Sequence, residues 1–216
     1  MAERPVFVPT FKGDRLVDVV NIRFTWHAGM SDKQKKKNVA ELHMMANREG
    51  LSPILEISSK SDKEAGIRLS AFKMPISAGG IKTTVECAFQ GSKVFEHGGP
   101  YTDLYETDSR SAKKDERIRN SGRLLGFRFD GEDYPLSPAT AFYDWLYVNA
   151  LYPHREWLER LDQCVGFTDI EFNPEKSINC QARSCATFVA LQKRGALDDA
   201  MDSFGAFLTL LERSYV

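Results

Sequence analysis

Val85-Glu86-Cys87-Ala88-Phe89-Gln90-Gly91-Ser92-Lys93-Val94-Phe95 is apolar or small on nearly every side of the helix it predicts, from about Thr84 to Phe95. A helix without a polar face belongs inside a fold, with other layers packed around it. Its polar exceptions, Glu86, Gln90 and Lys93, stand at i, i+4 and i+7 and so share one narrow stripe. A buried helix with a single polar stripe lines a cleft. Two structural readings compete with that one. Thr83 and Glu86 fit a capping box, in which the glutamate bonds back to the cap backbone. Glu86 and Lys93 also fit an ion pair, since a lysine two turns on points back toward the helix start.

Toward the amino terminus the pattern changes to strands, most clearly at Val20 to His27, where Val20, Ile22, Phe24 and Trp26 alternate with polar residues. An amphipathic helix follows from Ser31 to Arg48, capped by Ser31 and closed by Gly50, with Val39, Leu42, Met45 and Ala46 at helical spacing. Its Lys33, Lys35, Lys36 and Lys37 read as a solvated face that could also meet phosphates. Pro53 to Ser58 and Gly66 to Phe72 read as short strands before a turn at Gly79-Gly80.

Toward the carboxy terminus, Gly98 to Ser121 is a long polar loop, with or without a short helix around Ser111 to Arg119. Leu125 to Leu136 reads as a strand pair about the turn Asp130-Gly131. Helices are predicted at Pro138 to Tyr152 with Ser137 as cap, at about Asn179 to Lys193, and at Leu197 to Glu212 after Gly195. No repeat or linker interrupts the chain. The expected architecture is one α+β domain over residues 1–216, strand-rich over about 1–75 and helical over about 83–216.

Composition narrows the function. The 216 residues carry a formal net charge of −1, which argues against nonspecific coating of nucleic acid but leaves room for a nucleic-acid substrate held at one site. Met1-Ala2-Glu3-Arg4-Pro5 lacks the features of a secretory signal, and no apolar run reaches the roughly 20 residues that cross a bilayer, so a soluble cytoplasmic chain without membrane contact is expected. Cys87, Cys164, Cys180 and Cys185 form no C-x-x-C pair and read as reduced, small core residues. His27, His43, His97 and His154 are scattered, so neither a metal nor a cofactor is expected. Phosphate-loop, nucleophile-elbow and zinc-deaminase signatures are absent.

Two further segments carry chemistry. In Phe167-Thr168-Asp169-Ile170-Glu171-Phe172-Asn173-Pro174 the two phenylalanines could sandwich a base while Asp169 or Glu171 contacts ribose; the helix beginning near Asn179 could hold phosphate. The alternative is a loop that packs its aromatics into the core. Ser58, Lys60, Ser70 and Phe72 lie near predicted strand ends, where sites are often built.

The Glu86, Phe89-Gln90, Lys93 and Phe95 pattern resembles the NADAR family, whose motif runs Glu, two or three residues, an aromatic, then Gln-Ala-x-Lys-Phe; Gly91 stands here for the alanine and Phe95 is displaced by one. Leu69-Ser70-Ala71-Phe72 looks like the family's Leu/Phe-Ser-Asn-Phe segment with Ala71 for asparagine, and Asp169 with Lys176 to Asn179 looks like its acidic and Gly-Lys-x-Asn region, without the usual tryptophan and glycines. With Gly99 to Tyr105 and Thr140 to Tyr147 added, the chain is similar to one branch, the antitoxins encoded beside DarT-type DNA ADP-ribosyltransferase toxins. The resemblance implies an enzyme that hydrolyses the N-glycosidic bond between ADP-ribose and guanine in DNA, functionally linked to such a toxin. It implies catalysis by Glu86, Lys93 and Asp169, and substrate contacts from Ser58, Lys60, Ser70, Phe72 and Gln90 and from Glu171, Phe172 and Asn179. The alternatives are a small-molecule N-glycosidase of the riboflavin-intermediate type and an antitoxin that binds its toxin without chemistry.

Overall fold

In the computed structural model, which describes residues 1–213, β1 (Ala2–Pro9) pairs antiparallel with β2 (Val17–Phe24) over its whole length, from Ala2 opposite Phe24 to Pro9 opposite Val17. Alternation along β1 sends Val6 to one face and Phe7 to the other. Against the Val6 face packs α1 (Asp32–Arg48), through Val39, Leu42 and Ala46. The Ser31 hydroxyl accepts the Gln34 N–H, and Gly50 follows at φ +85°, so both ends lie where the capping residues predict them.

Next come β3 (Ile54–Glu56) and α2 (Glu64–Arg68). The strand expected at Gly66 to Phe72 is therefore not formed. Glu64 and Arg68 pair at i, i+4 (2.6 Å), and a Cβ on Gly66 would lie 2.0 Å from the Glu56 carbonyl oxygen, so only glycine lets this helix abut β3. A tight turn follows, in which the Ser70 carbonyl accepts the Lys73 and Met74 N–H groups.

A hairpin of β4 (Pro75–Ala78) and β5 (Ile81–Thr84) turns on Gly79-Gly80, both at positive φ, and delivers the chain into α3 (Val85–Gly91). Every residue of α3 is buried. The helix expected to reach Phe95 stops four residues earlier, because Lys93–Phe95 is a strand, β6, and tertiary partners take the backbone: Tyr101 N donates to Gly91 O (2.8 Å) and Arg128 N to Ser92 O (2.7 Å).

The polar stretch after β6 is more helical than its composition suggests. It holds a 3-10 turn at Thr102–Glu106, then α4 (Ser109–Lys114) with Asp108 as N-cap, then α5 (Arg117–Asn120). β7 (Leu124–Phe129) and β8 (Glu132–Tyr134) form the expected hairpin, Asp130 and Gly131 both at positive φ. The next helix, α6 (Ala141–Leu151), starts three residues later than Pro138. The Pro138 carbonyl closes a turn with Ala141 N, so the first α-type bond runs from Asp144 N to Thr140 O, and Ser137 is not its cap.

Short α7 (Arg155–Leu158) leads to β9 (Gly166–Thr168), a strand the sequence reading missed. β9 inserts between β1 and β3, antiparallel to the first and parallel to the second, giving the sheet order β2-β1-β9-β3. α8 (Gln181–Lys193) covers the other face, joining Phe7 and Phe167 to Phe142, Leu146 and Tyr147 of α6. The expected helix from Leu197 to Glu212 is two, α9 (Leu197–Met201) and α10 (Phe204–Arg213), broken where the Ser203 hydroxyl accepts Ala206 N. With about 44% helix and 20% strand the fold is α+β, strands concentrated early and helices later. Among the described residues no helix is long and apolar enough to cross a membrane.

Candidate active site

The start of α3 is satisfied by the loop before it. Val85 N donates to Met74 O (3.0 Å), Glu86 N to Ala71 O (3.0 Å), and Cys87 N to the Thr84 hydroxyl (3.3 Å). Thr84 is thus the cap, while the Thr83 hydroxyl is buried without a partner. The capping box of Thr83 with Glu86 is not made, and the Glu86 carboxylate, 5% exposed, is left for other work.

That carboxylate begins a chain of side-chain hydrogen bonds. Gln90 Nε2 donates to Glu86 Oε1 (2.9 Å), and Lys93 Nζ donates to Gln90 Oε1 (2.7 Å) while lying 4.7 Å from the centre of the Phe89 ring. The stripe closes although Lys93 has left the helix, and the amide of Gln90 stands between Glu86 and Lys93 in place of the direct ion pair that was one structural alternative. A second ammonium, that of Lys113 on α4, lies 3.9 Å from Glu86 Oε1 and 5.1 Å from the centre of the Phe72 ring. Burial lowers Lys93 to a pKa of about 8, against the pull of Glu86 and with the help of Lys113.

Asp169 follows β9, with Oδ1 accepting Glu171 N (3.0 Å) and Oδ2 accepting Gln181 Nε2 (3.0 Å). Burial, and then Glu56 nearby, raise its pKa to about 8. Glu56 is itself buried and pushed up by desolvation, and it accepts from the Ser58 hydroxyl (2.6 Å), the Thr168 hydroxyl (2.7 Å) and Ile170 N (2.9 Å). Gln181, the first residue of α8, ties the two acidic centres together. Its Oε1 accepts Ala71 N (2.7 Å), and the carbonyl of the same Ala71 accepts Glu86 N. Between them stands Tyr143 of α6, edge-on to Phe89 at 5.0 Å; burial first, then Glu86 and Asp169, push its hydroxyl well above the ordinary tyrosine range.

Glu86, Gln90, Lys93 and Phe72 therefore meet, with Asp169 linked through Gln181. The remaining expected contacts have other engagements. The Ser58 hydroxyl is held by Glu56 and accepts Lys60 N (3.1 Å); Lys60 pairs with Asp32 (2.8 Å), and Glu171 with Lys35. Phe172 stands edge-on to Phe7 and lines a separate cleft of about 330 Å³ with Pro5, Val19 and Arg183. Phe167 is fully buried, so it cannot sandwich a base with Phe172. Ser70 contributes its carbonyl to the turn beside Ala71, and the Asn179 side-chain oxygen is buried without a partner just before α8.

The family model of the DarT1-associated NADAR antitoxins matches residues 2–216. The chain belongs to that family. No curated protein matches it. Membership carries an antitoxin role associated with DarT, in a family that is glycosidase-like. Two of its departures from the NADAR motif fall at tightly packed positions. Gly91 replaces alanine because a Cβ there would lie 2.5 Å from Tyr105 Cε1 and 2.9 Å from the Tyr101 carbonyl oxygen. At Ala71, where the motif has asparagine, the backbone makes the bonds to Gln181 and Glu86, and the methyl is buried. Lys113, Tyr143, Gln181 and Glu56 escaped the sequence reading as site residues. Tyr143 lay within the Thr140 to Tyr147 stretch that carries the resemblance, and Lys113 left a local signal, the helical spacing of Arg110, Lys113 and Lys114 behind a capping Asp108.

Proposed function

We propose that this antitoxin is a DNA ADP-ribosyl glycohydrolase, which hydrolyses the N-glycosidic bond between ADP-ribose and guanine and so reverses the mark of a DarT-type toxin. The observation that carries the reading is the buried Glu86 carboxylate, free of capping duty and held by Gln90 between two ammonium groups. Breaking the bond from ribose C1′ to nitrogen leaves positive charge on C1′ and the ring oxygen, and a fixed carboxylate stabilises that charge as it develops. Glu86 fills this role and takes a proton from the attacking water as its oxygen bonds to C1′. The electron pair of the broken bond stays on the guanine nitrogen, which needs a proton. Asp169, whose pKa burial and then Glu56 raise to about 8, is the donor this reading assigns. Lys93 and Gln90 act through Glu86 as positioning residues, the lysine fixing which way the Gln90 amide points.

Single-stranded DNA bearing one ADP-ribosylated guanine tests the reading, with free ADP-ribose measured by liquid chromatography. Wild type is expected to release it, and Glu86→Gln about 10²–10³-fold more slowly, the usual loss when one stabilising group is removed from a transition state. No release by wild type ends the DNA glycohydrolase reading. Equal release by both proteins removes Glu86 from the chemistry. Small-molecule N-glycosides run in parallel decide between DNA and a metabolite as substrate. An antitoxin acting by binding alone would copurify with its toxin and still suppress toxicity as Glu86→Gln.

A further inference from the structure

Segment 109–123 holds Arg110, Lys113, Lys114, Arg117, Arg119 and Arg123 against Asp115 and Glu116, a local excess of cations in a chain whose net charge is −1. Part of that excess is engaged. Arg117 binds Asp103 (2.7 Å) and Asp115 (2.9 Å), and Arg123 binds Glu96 (3.2 Å). Arg110, Lys113 and Lys114 differ. They stand at i, i+3 and i+4 on α4, so they share one face, and all three are exposed. Among the described residues Arg110 and Lys114 form no ion pair within 4 Å, although the charge of Arg110 helps lower the pKa of the capping Asp108, and Lys113 pairs with Glu86 at 3.9 Å. The face thus runs from the ammonium beside the buried Glu86 carboxylate outward into solvent, with the Phe72 ring against Lys113 at its inner end.

We propose that this face of α4 is a track for the phosphates that flank the modified guanine in a single DNA strand. The inference rests on the glycohydrolase reading and sharpens it, because it assigns residues that separate a polynucleotide from a free nucleoside. Charge complementarity names the occupant. Arg110 and Lys114 lie about 6 Å apart along the helix axis, so the row follows successive phosphates of an extended strand rather than one isolated anion. Lys113 sits where the strand turns its modified base inward, and its charge also helps lower Lys93.

The test uses Arg110→Gln/Lys114→Gln, neither residue being part of the catalytic machinery. Binding of a fluorescein-labelled single-stranded oligonucleotide carrying one ADP-ribosylated guanine is followed by anisotropy between 50 and 200 mM salt, in a Glu86→Gln background that slows turnover. Three phosphate contacts give a log–log salt slope of about −2, roughly a 20-fold loss of affinity over that range; one remaining contact gives about −0.7, a loss of roughly threefold. The double variant is expected to show the shallower slope. With Glu86 intact, it is expected to lose kcat/KM on the oligonucleotide while hydrolysing ADP-ribosylated guanosine at the wild-type rate. An unchanged salt slope overturns the track. So does an unchanged slope with weakened neutralisation of the toxin, which would make the face a protein-binding surface. If wild type hydrolyses neither substrate, the glycohydrolase reading fails, and the salt slope still decides whether α4 binds the strand.

Discussion

Lys93 shows what the site costs the fold at the level of one residue. Its ammonium is mostly buried, and burial outweighs the attraction of Glu86, so its pKa falls to about 8. A lysine that binds its proton less tightly when folded than when unfolded destabilises the fold wherever both forms are charged, below about pH 8; the penalty is relieved as pH rises toward the unfolded value. Methionine of similar length keeps the packing against Phe89 and gives up the charge. Lys93→Met is therefore expected to melt higher than wild type at pH 7, with the advantage shrinking by pH 10. It is also expected to lose most ADP-ribose release, since the Gln90 amide then keeps its bond to Glu86 but loses the partner that fixes its oxygen. Melting curves and release assays on the same preparations check both. A variant that melts lower at pH 7 would make Lys93 a structural residue.

Among the elements, α3 is held by shape as much as by burial. Gly91 lies against the Tyr105 ring and the Tyr101 carbonyl, and Tyr101 N returns a hydrogen bond to Gly91 O. Gly91→Ala improves helix propensity but inserts a methyl 2.5 Å from Tyr105 Cε1, so overpacking by about 1–3 kcal/mol is expected to win. The melting temperature should drop, and activity should drop with it, because moving α3 moves Glu86. Thermal scans that show a gain would mean that the 102–106 turn yields freely. The same helix shows where sequence patterning stops informing. Ser31 with Gly50 and Asp130-Gly131 are local signals, and the elements they bound lie where expected; Gly79-Gly80 marked its turn but not the two strands beside it. Gly166-Phe167-Thr168 is three buried residues without alternation; only its partners, β1 and β3, make it a strand. α3 ends early for the same reason, since the bonds that stop it come from Tyr101 and Arg128. The polar stripe was legible because i, i+4 spacing is local; Gln181, Tyr143 and Glu56 were not, because only the closed fold brings them near it.

Across the whole molecule, the site writes opposing pH dependences into stability. Asp169 is raised from the ordinary carboxylate range to about 8, and Glu56 is pushed the same way by burial. A carboxyl whose folded pKa exceeds its unfolded one stabilises fully below the unfolded value and loses that contribution as pH climbs through the folded value. The loss therefore accrues from about pH 4 and is complete just above 8. Lys93 then restores stability as pH passes from about 8 toward its unfolded pKa. His43, lowered to about 4 by burial, acts only on the acid side, adding stability as pH rises from about 4 to its unfolded value. Urea denaturation from pH 5 to 10 is expected to show wild type weakest near pH 8 relative to Asp169→Asn/Lys93→Met, by a few kcal/mol. Taking the difference between the two proteins cancels His43 and every surface group that both share. A difference that stays flat with pH would mean that neither group is perturbed by its burial. A minimum near pH 8 would show that burying the Asp169 carboxyl and the Lys93 ammonium costs the fold stability, which is the cost a site kept for chemistry carries.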